Sequence, residues 1–401
     1  MKRRWAALIG LVSALGGLSA GPIAADADPI GGTADVAAAR GVAPPAVAAG
    51  PLGIPAAVSV ALVEAGTGQV LAAQDATTRR PIASAIKLLT ALVVVDALPA
   101  GTVLTVGEEV RGVEGASYGL RPGEARSVDE LLAGLLLRSG NDVAVALAVA
   151  VAGSEEAFVG LMAERLMALG VEARPASASG LDEGDALSAL ELAAVARASL
   201  AEPRIRDIVG RSTLTLPGGA ELENRNAFLT DDATATGLKT GFTNAAGFTL
   251  AASSARDGRT LIAIVLGARD DAERRDVARR LMEHGFTGTR PMRAAATLGL
   301  RTAAGAVALR ADLGTLTVSV SSEVRYGWPR TLRPTDTSPR IALLVDGEAV
   351  GTVVAERLDA RDGIPVAGLG RALADGVYAA LRPSAIALAV GPDRSGPEGL
   401  R

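Results

Sequence analysis

From Ile86 to Leu98 the chain reads Ile-Lys-Leu-Leu-Thr-Ala-Leu-Val-Val-Val-Asp-Ala-Leu, an almost unbroken apolar stretch of helical length. A helix that is apolar around its whole circumference offers no face to water, so it must lie inside a shell of other elements. The run therefore predicts a buried central helix starting near Ser84. The 49% hydrophobic content of the 401 residues suffices to build its shell. Lys87, at the head of the run, is one of only three lysines among 40 Lys and Arg. Lys2 belongs to the N-terminal leader and Lys239 to Lys239-Thr240-Gly241, while arginine supplies positive charge everywhere else. Arginine cannot give up its proton in a protein, whereas a buried lysine can become a neutral base. A chain that keeps lysine at these two places alone needs an ammonium that titrates.

Composition excludes several chemistries. With no cysteine there is no disulfide, thiolate nucleophile or Cys-based metal site. A net charge of −4 without a basic run argues against nucleic acid as a partner. A Ser-His-Asp triad would have to use His284, the only histidine. That residue falls at the end of an expected helix, Asp270 to Glu283, with Gly285 in the C-terminal cap position, where a cation-capable side chain suits the helix dipole.

Residues 1–25 read as a secretory signal: Lys2, Arg3 and Arg4 precede an apolar stretch, Trp5 to Ala20, too short to span a bilayer comfortably. The mature protein is thus expected outside the cytoplasmic membrane, in the periplasm or at the envelope exterior. Residues 26–54 form an Ala/Gly/Pro-rich linker without apolar period. Val58 to Val63, Gly66-Thr67-Gly68 and Gln69 to Ala72 make a hairpin. Ser127 to Ala152 is helical, broken at Ser139-Gly140-Asn141. Ser154 to Leu169 is an amphipathic helix with a Ser-x-x-Glu-like start, and Ala189 to Leu200 another. Strand character returns at Gly237 to Gly241, Phe248 to Ser253 and Arg259 to Leu266. Strands from both ends with helices between predict an α+β fold: one antiparallel sheet with flanking helices and a helical insert, over residues 55–288. Residues 289–382 change to short β-type runs, Leu316 to Val320 and Ile341 to Val345 among them, and read as a small β-rich C-terminal domain. Residues 383–401 are a tail.

Three short segments carry chemistry. Ser84 and Lys87 stand three residues apart at a helix start, on one face. A serine hydroxyl is a poor nucleophile until a base takes its proton, and a desolvated lysine beside a second cation, Lys239, has the lowered pKa such a base needs. The Ser84 backbone N–H at the helix N-terminus suits a developing oxyanion. Ser139 and Asn141 offer a hydroxyl to relay a proton between Lys87 and a leaving amine, and an amide to hold a substrate carbonyl. Lys239-Thr240-Gly241 opens a strand along which a substrate backbone can add, Gly241 allowing close approach and the Phe242 N–H serving as second oxyanion donor. Each segment alone has a bland reading as a cap or strand start. In this order, with the middle one in a helical insert, they form the set known from penicillin-binding proteins and class A β-lactamases.

The chain thereby resembles the serine D-Ala-D-Ala carboxypeptidases, the low-molecular-mass penicillin-binding proteins. Leu136 to Asp142, Gly153 to Phe158, Asn224-Arg225-Asn226 and Gly237 to Thr243 add to the likeness, which covers about Pro55 to Phe286. It implies the β-lactamase/transpeptidase-like fold, Ser84 as acyl-enzyme nucleophile, Lys87 as general base, Ser139 and Asn141 as helpers, and Lys239 and Thr240 binding substrate. Arg269, after the last long strand, is expected to take a terminal carboxylate by bidentate pairing. Implied partners are peptidoglycan stem peptides ending in D-Ala-D-Ala, with β-lactams as covalent inhibitors and no metal or cofactor. The tail lacks the basic amphipathic helix by which several relatives hold the membrane, which argues against an anchor there. No Glu-x-x-Leu-Asn segment for deacylation exists, which disfavours a β-lactamase. A D,D-endopeptidase uses the same machinery and stays open, and an idle wall-binding protein has no reason to keep Ser84 and both lysines.

Overall fold

A strand covered on both faces reads as a continuous apolar run, and Leu261-Ile262-Ala263-Ile264-Val265-Leu266 is one. In the computed structural model these six side chains are buried and alternate between two cores. The structure describes residues 52–290 throughout, and beyond them only strand segments at Val47–Ala48 and between Thr289 and Arg357. The expected leader (1–25), nearly all of the linker (26–54) and the tail (383–401) lie outside the described residues.

The central sheet contains β1 (Val47–Ala48), β2 (Ser59–Glu64), β3 (Val70–Gln74), β4 (Ala235–Thr243), β5 (Gly247–Arg256) and β6 (Arg259–Ala268). Their spatial order is β1-β3-β2-β6-β5-β4. All pairs are antiparallel except the short β1 on β3. Strands from both ends of the chain thus build one sheet, and β4 forms an edge. Between β3 and β4 come α1 (Lys87–Ala97), α2 (Val128–Leu137), α3 (Asn141–Ala152), α4 (Glu155–Ala168), α5 (Ala189–Ala201), α6 (Pro203–Val209) and α7 (Phe228–Asp231). This is the expected α+β arrangement with its helical insert.

Helix α1 is the buried rod the apolar run requires: every residue from Lys87 to Val94 is buried. Its core joins Leu131, Leu135, Val143, Leu147 and Phe158 of the insert to Val63, Ile262 and Ile264 of the sheet. On the other face of the sheet Val60, Leu62, Leu261 and Val265 pack against Val277, Ala278 and Leu281 of α8 (Asp271–Gly288). Helix starts follow their caps: Ser127, Ser154, Ser188 and Asp270 each accept a backbone N–H of the first turn. At Ser154 that donor is Ala157, so the expected Ser-x-x-Glu reading fails there; the true reciprocal box is Ser188 with Glu191.

Gly285 also differs from expectation. Helix α8 does not stop before it but runs on to Gly288. A Cβ on Gly285 would lie 2.4 Å from Leu261 Cδ1 and 2.9 Å from Leu62 Cδ2, so the glycine lets the helix approach the sheet rather than end. His284 therefore lies inside a helix, and burial lowers its pKa. Among the described residues no hydrogen bond joins it to a serine or a carboxylate. Past Gly288, Thr289–Thr302, Gly305–Ser319 and Glu356–Arg357 form one antiparallel sheet, and Val324–Gly327, Arg340–Val345 and Glu348–Val354 another.

Gly285→Leu should overpack this contact and lower stability by about 1–3 kcal/mol. In a thermal melt the midpoint then falls by roughly 2–4 °C per kcal/mol. An unchanged or raised midpoint would show that α8 does not need the close approach.

Candidate active site

Ser84 lies not in α1 but in the 3-10 turn Ala83–Ile86 ahead of it. The turn is clamped from two sides. Ile82 N–H donates to the Asp185 carbonyl at 2.9 Å, and Thr249 Oγ1 of β5 donates to the Ile82 carbonyl at 3.0 Å. Ala83 is held in the left-handed region at φ 49°, a strained conformation for an L-residue. A Cβ on Gly241 would come within 2.5 Å of Thr249 Oγ1 and 3.0 Å of the Ser84 backbone nitrogen. Gly241 therefore admits the Ser84 backbone to the sheet edge, besides any close approach by a ligand.

Lys87 is fully buried, and its Nζ lies 2.9 Å from Ser84 Oγ. It also donates to Asn141 Oδ1 at 2.7 Å and to the Ser179 carbonyl. Both of these partners can only accept. A neutral amine has two hydrogens and one lone pair; with both hydrogens given to Asn141 and Ser179, the lone pair faces the Ser84 hydroxyl. Burial first, then the charge of Lys239, push the Lys87 ammonium far below its ordinary value; Asp185 opposes them, Arg225 adds a weaker push downward, and Asp142 opposes most weakly. The neutral form is thus the one this surrounding favours.

The helical insert supplies those acceptors. Helix α2 ends at Arg138, Ser139 takes a left-handed φ of 63°, and Gly140 caps α3. Asn141 thereby needs no capping role. Its Nδ2 donates to the Glu114 carbonyl at 2.8 Å and its backbone N–H to the Ala116 carbonyl at 2.7 Å, which fixes Oδ1 on Lys87. The amide expected to hold a substrate carbonyl thus has its oxygen committed to Lys87 and one N–H left over. The Ser179 carbonyl is held by a loop built on Asp185, a buried carboxylate accepting from Ala176 N–H, Ser177 N–H and Ser177 Oγ. Gly180, at φ 84°, lets this loop pass where a Cβ would lie 2.2 Å from the Ala83 carbonyl oxygen.

Lys239 on β4 is also buried; it donates to Ser139 Oγ at 3.0 Å and to the Thr240 carbonyl at 2.9 Å. Among the described residues the Ser139 hydroxyl is bonded to Lys239 and not to Lys87, so a relay through it starts from the other lysine. Burial, followed by Arg225 and Arg274, brings the Lys239 ammonium from 10.5 to about 7. Ser84, Lys87, Ser139, Asn141 and Lys239 are therefore joined in one hydrogen-bonded cluster at the sheet edge, and Thr240 adjoins it. Phe242 follows on the same strand with its ring exposed, 4.4 Å from the Phe248 ring.

Arg269 is not brought into the cluster. Its side chain is 79% exposed and pairs with Asp270 and Glu273 at the start of α8. The arginine that reaches the site is Arg274, one turn on. Buried on α8, it donates from Nη1 to the carbonyls of Gly241 and Thr249, both at 3.0 Å, and stacks over Phe248. Sequence reasoning missed it, although the signal existed: Arg274 shares the helical stripe of Val277, Ala278 and Leu281, where a cation is out of place unless it has buried acceptors. The Ser179 carbonyl and Asp185 left no such mark.

A family model described as D-alanyl-D-alanine carboxypeptidase matches residues 46–270. The D-alanyl-D-alanine carboxypeptidase DacA of Escherichia coli strain K12 is 35% identical over 245 residues, 57% of this chain and 60% of that protein. DacF of Bacillus subtilis strain 168 is 31% identical over 242 residues, 58% and 62% respectively. The chain thus matches about three fifths of the length of these curated relatives. Among solved structures, penicillin binding protein 6B from Escherichia coli is similar with a TM-score of 0.62 at 28% identity, covering 74% of this chain and 93% of that one. The D-alanyl-D-alanine carboxypeptidase DacD from Francisella tularensis, at 20% identity, shares the fold with a TM-score of 0.66 over 75% of this chain and 92% of its own.

Because the chain has only three lysines, NMR titration of protein labelled at lysine Cε can follow the two buried ones directly. Lys239 should titrate near 7, and Arg225→Gln, which removes a neighbouring cation, should move that midpoint upward. A Lys239 midpoint near 10.5, or one indifferent to Arg225, would contradict this electrostatic account.

Proposed function

This chain belongs to the D-alanyl-D-alanine carboxypeptidase family, and on that premise we propose that it removes the terminal D-Ala of peptidoglycan stem peptides through an acyl-enzyme on Ser84. The observation that carries the proposal is the wiring of Lys87: two acceptors consume the N–H groups of a neutral amine and leave its lone pair to Ser84.

The reaction follows from the groups present. Ser84 Oγ attacks the carbonyl of the penultimate D-Ala while its proton passes to Lys87. The oxyanion forms beside the Ser84 N–H, with the Phe242 N–H as second donor. The C–N bond then breaks, and the leaving amine takes a proton through Ser139, whose hydroxyl is bonded to the Lys239 ammonium. Water then attacks the ester, giving its proton through Ser139 back to Lys239, and Ser84 Oγ leaves with the proton held by Lys87, so that both lysines return to their starting states. The terminal carboxylate is received by Lys239 and Thr240 on β4, where the charges of Arg225 and Arg274 add to the field. The edge position of β4 suits addition of the substrate backbone as a further strand.

A β-lactam enters the same path, but its leaving nitrogen stays tethered to the acyl group, so the ester should persist. The missing Glu-x-x-Leu-Asn segment supports the same conclusion. Export follows from the reading of residues 1–25 as a signal, and residues 289–382 are proposed as a spacing or interaction module.

Intact mass spectrometry after mixing with benzylpenicillin should give one covalent adduct, absent in Ser84→Ala, and a pentapeptide stem should release free D-Ala. An adduct that survives Ser84→Ala would overturn the proposal. Cleavage of cross-linked dimers into monomers, with no D-Ala released from pentapeptide, would replace it by an endopeptidase.

A further inference from the structure

Arg138 and Arg225 are drawn together at the rim of the Ser139 cluster, with no acid among the described residues paired to either. Arg138 is the C-terminal cap of α2 and immediately precedes Ser139. Arg225 N–H donates to the Leu137 carbonyl at 3.1 Å, which puts its residue alongside Arg138. The backbone there is held firmly. Asn224 Nδ2 donates to the carbonyls of Val209 and Arg211, and its Oδ1 accepts from Asn226 N–H. Asn226 Oδ1 in turn accepts from Phe228 N–H.

Most arginines of the catalytic region are matched to carboxylates, including Arg126, Arg204, Arg256, Arg259, Arg274 and Arg275. Among the described residues, Arg138 and Arg225 form no ion pair and no side-chain hydrogen bond. Burial, and then Arg138, hold the Arg225 guanidinium below its ordinary value, and no neighbouring acid offsets this. Arg225 in turn acts on both Lys87 and Lys239, which places its charge within electrostatic reach of the reacting groups. Two like charges kept together with no counterion are destabilising unless an anion arrives from outside. A cap role at the α2 C-terminus explains Arg138 alone; it gives no reason to bring Arg225 beside it.

We propose that Arg138 and Arg225 form an anion subsite for a second carboxylate of the stem peptide, one that the terminal D-Ala does not supply. The reason lies in depth. Lys239, proposed above to receive the terminal carboxylate, is 1% exposed. Arg225 is exposed and Arg138 half-buried, so the pair meets a part of the substrate further from the reacting bond. Guanidinium groups pair with carboxylates in a planar, two-bond fashion, and the ligand class is therefore a residue with a free carboxylate near the D-Ala-D-Ala end. Amidation of that group removes the charge and much of the match.

This inference rests on the carboxypeptidase reading and is tested separately from it. Two pentapeptides are compared, alike except that the third residue, a diamino acid, bears a free or an amidated side carboxyl. D-Ala release from the amidated peptide reports the reaction itself. The ratio of kcat/KM for the free over the amidated peptide reports the subsite. In the wild-type chain that ratio should be about tenfold, as one charge-assisted contact gives, and should shrink in 0.5 M salt. Arg138→Gln and Arg225→Gln should each bring it toward one, while Arg138→Lys retains part of it. The benzylpenicillin adduct serves as the check that each variant is folded. A wild-type ratio near one, or a ratio that Arg138→Gln leaves intact in an adduct-forming variant, would overturn the subsite. Equal losses on both peptides in Arg138→Gln would do the same, by assigning that residue to the terminal carboxylate or to the fold; Arg225→Gln, which also alters the field at both lysines, is read through the ratio alone. Should neither variant fold, a wild-type ratio indifferent to salt overturns it as well.

Discussion

Removing an ammonium from water costs several kcal/mol even after the protein relaxes around it, and this chain buries two within one cluster. The cost falls if a proton leaves, so burial itself selects the neutral amine at Lys87. Each remaining N–H then needs an acceptor, since an unsatisfied buried donor costs about 1–3 kcal/mol. Asn141 and the Ser179 carbonyl meet that demand, and the geometry that meets it also aims the lone pair at Ser84. Stability of the buried lysine and reactivity of the serine are thus one arrangement.

Much of the architecture can be understood as what brings those acceptors to one point. Ser84 and Lys87 lead into a helix surrounded by core. Asn141 arrives from a break between two helices, with Ser139 strained at a left-handed φ to make the turn. Ser179 arrives from a loop that Asp185 gathers around its carboxylate. Lys239 comes from the sheet edge, and Arg274 braces that edge from the opposite face through the carbonyls of Gly241 and Thr249. The helical insert and the sheet meet at this cluster, and neither contains it alone.

Features that depend on local pattern were legible in the sequence. The apolar run at Ile86 to Leu98, the break at Ser139-Gly140-Asn141 and the two lysines pointed to a buried helix, an insert and a titrating pair. Features that depend on which surfaces meet were not. Nothing local to Ser179 announces that its backbone carbonyl will hold a lysine, because a carbonyl has no residue type. Arg269 attracted the carboxylate role by its place after a strand, yet exposure and two adjacent acids engage it elsewhere. Gly285 resembled a cap in sequence, whereas the contact with Leu62 and Leu261 that requires it exists only once α8 lies on the sheet.

The central claim is that Lys87 works as a neutral amine. The pH dependence of the acylation rate constant with benzylpenicillin, in the wild-type chain and in Lys87→Arg, tests it most directly. The account predicts acylation with an acid limb well below 10.5, and loss of acylation by several orders of magnitude in a folded Lys87→Arg chain, since a guanidinium has no lone pair to offer. Acylation that rises only as pH approaches 10.5, or that Lys87→Arg sustains, would contradict it.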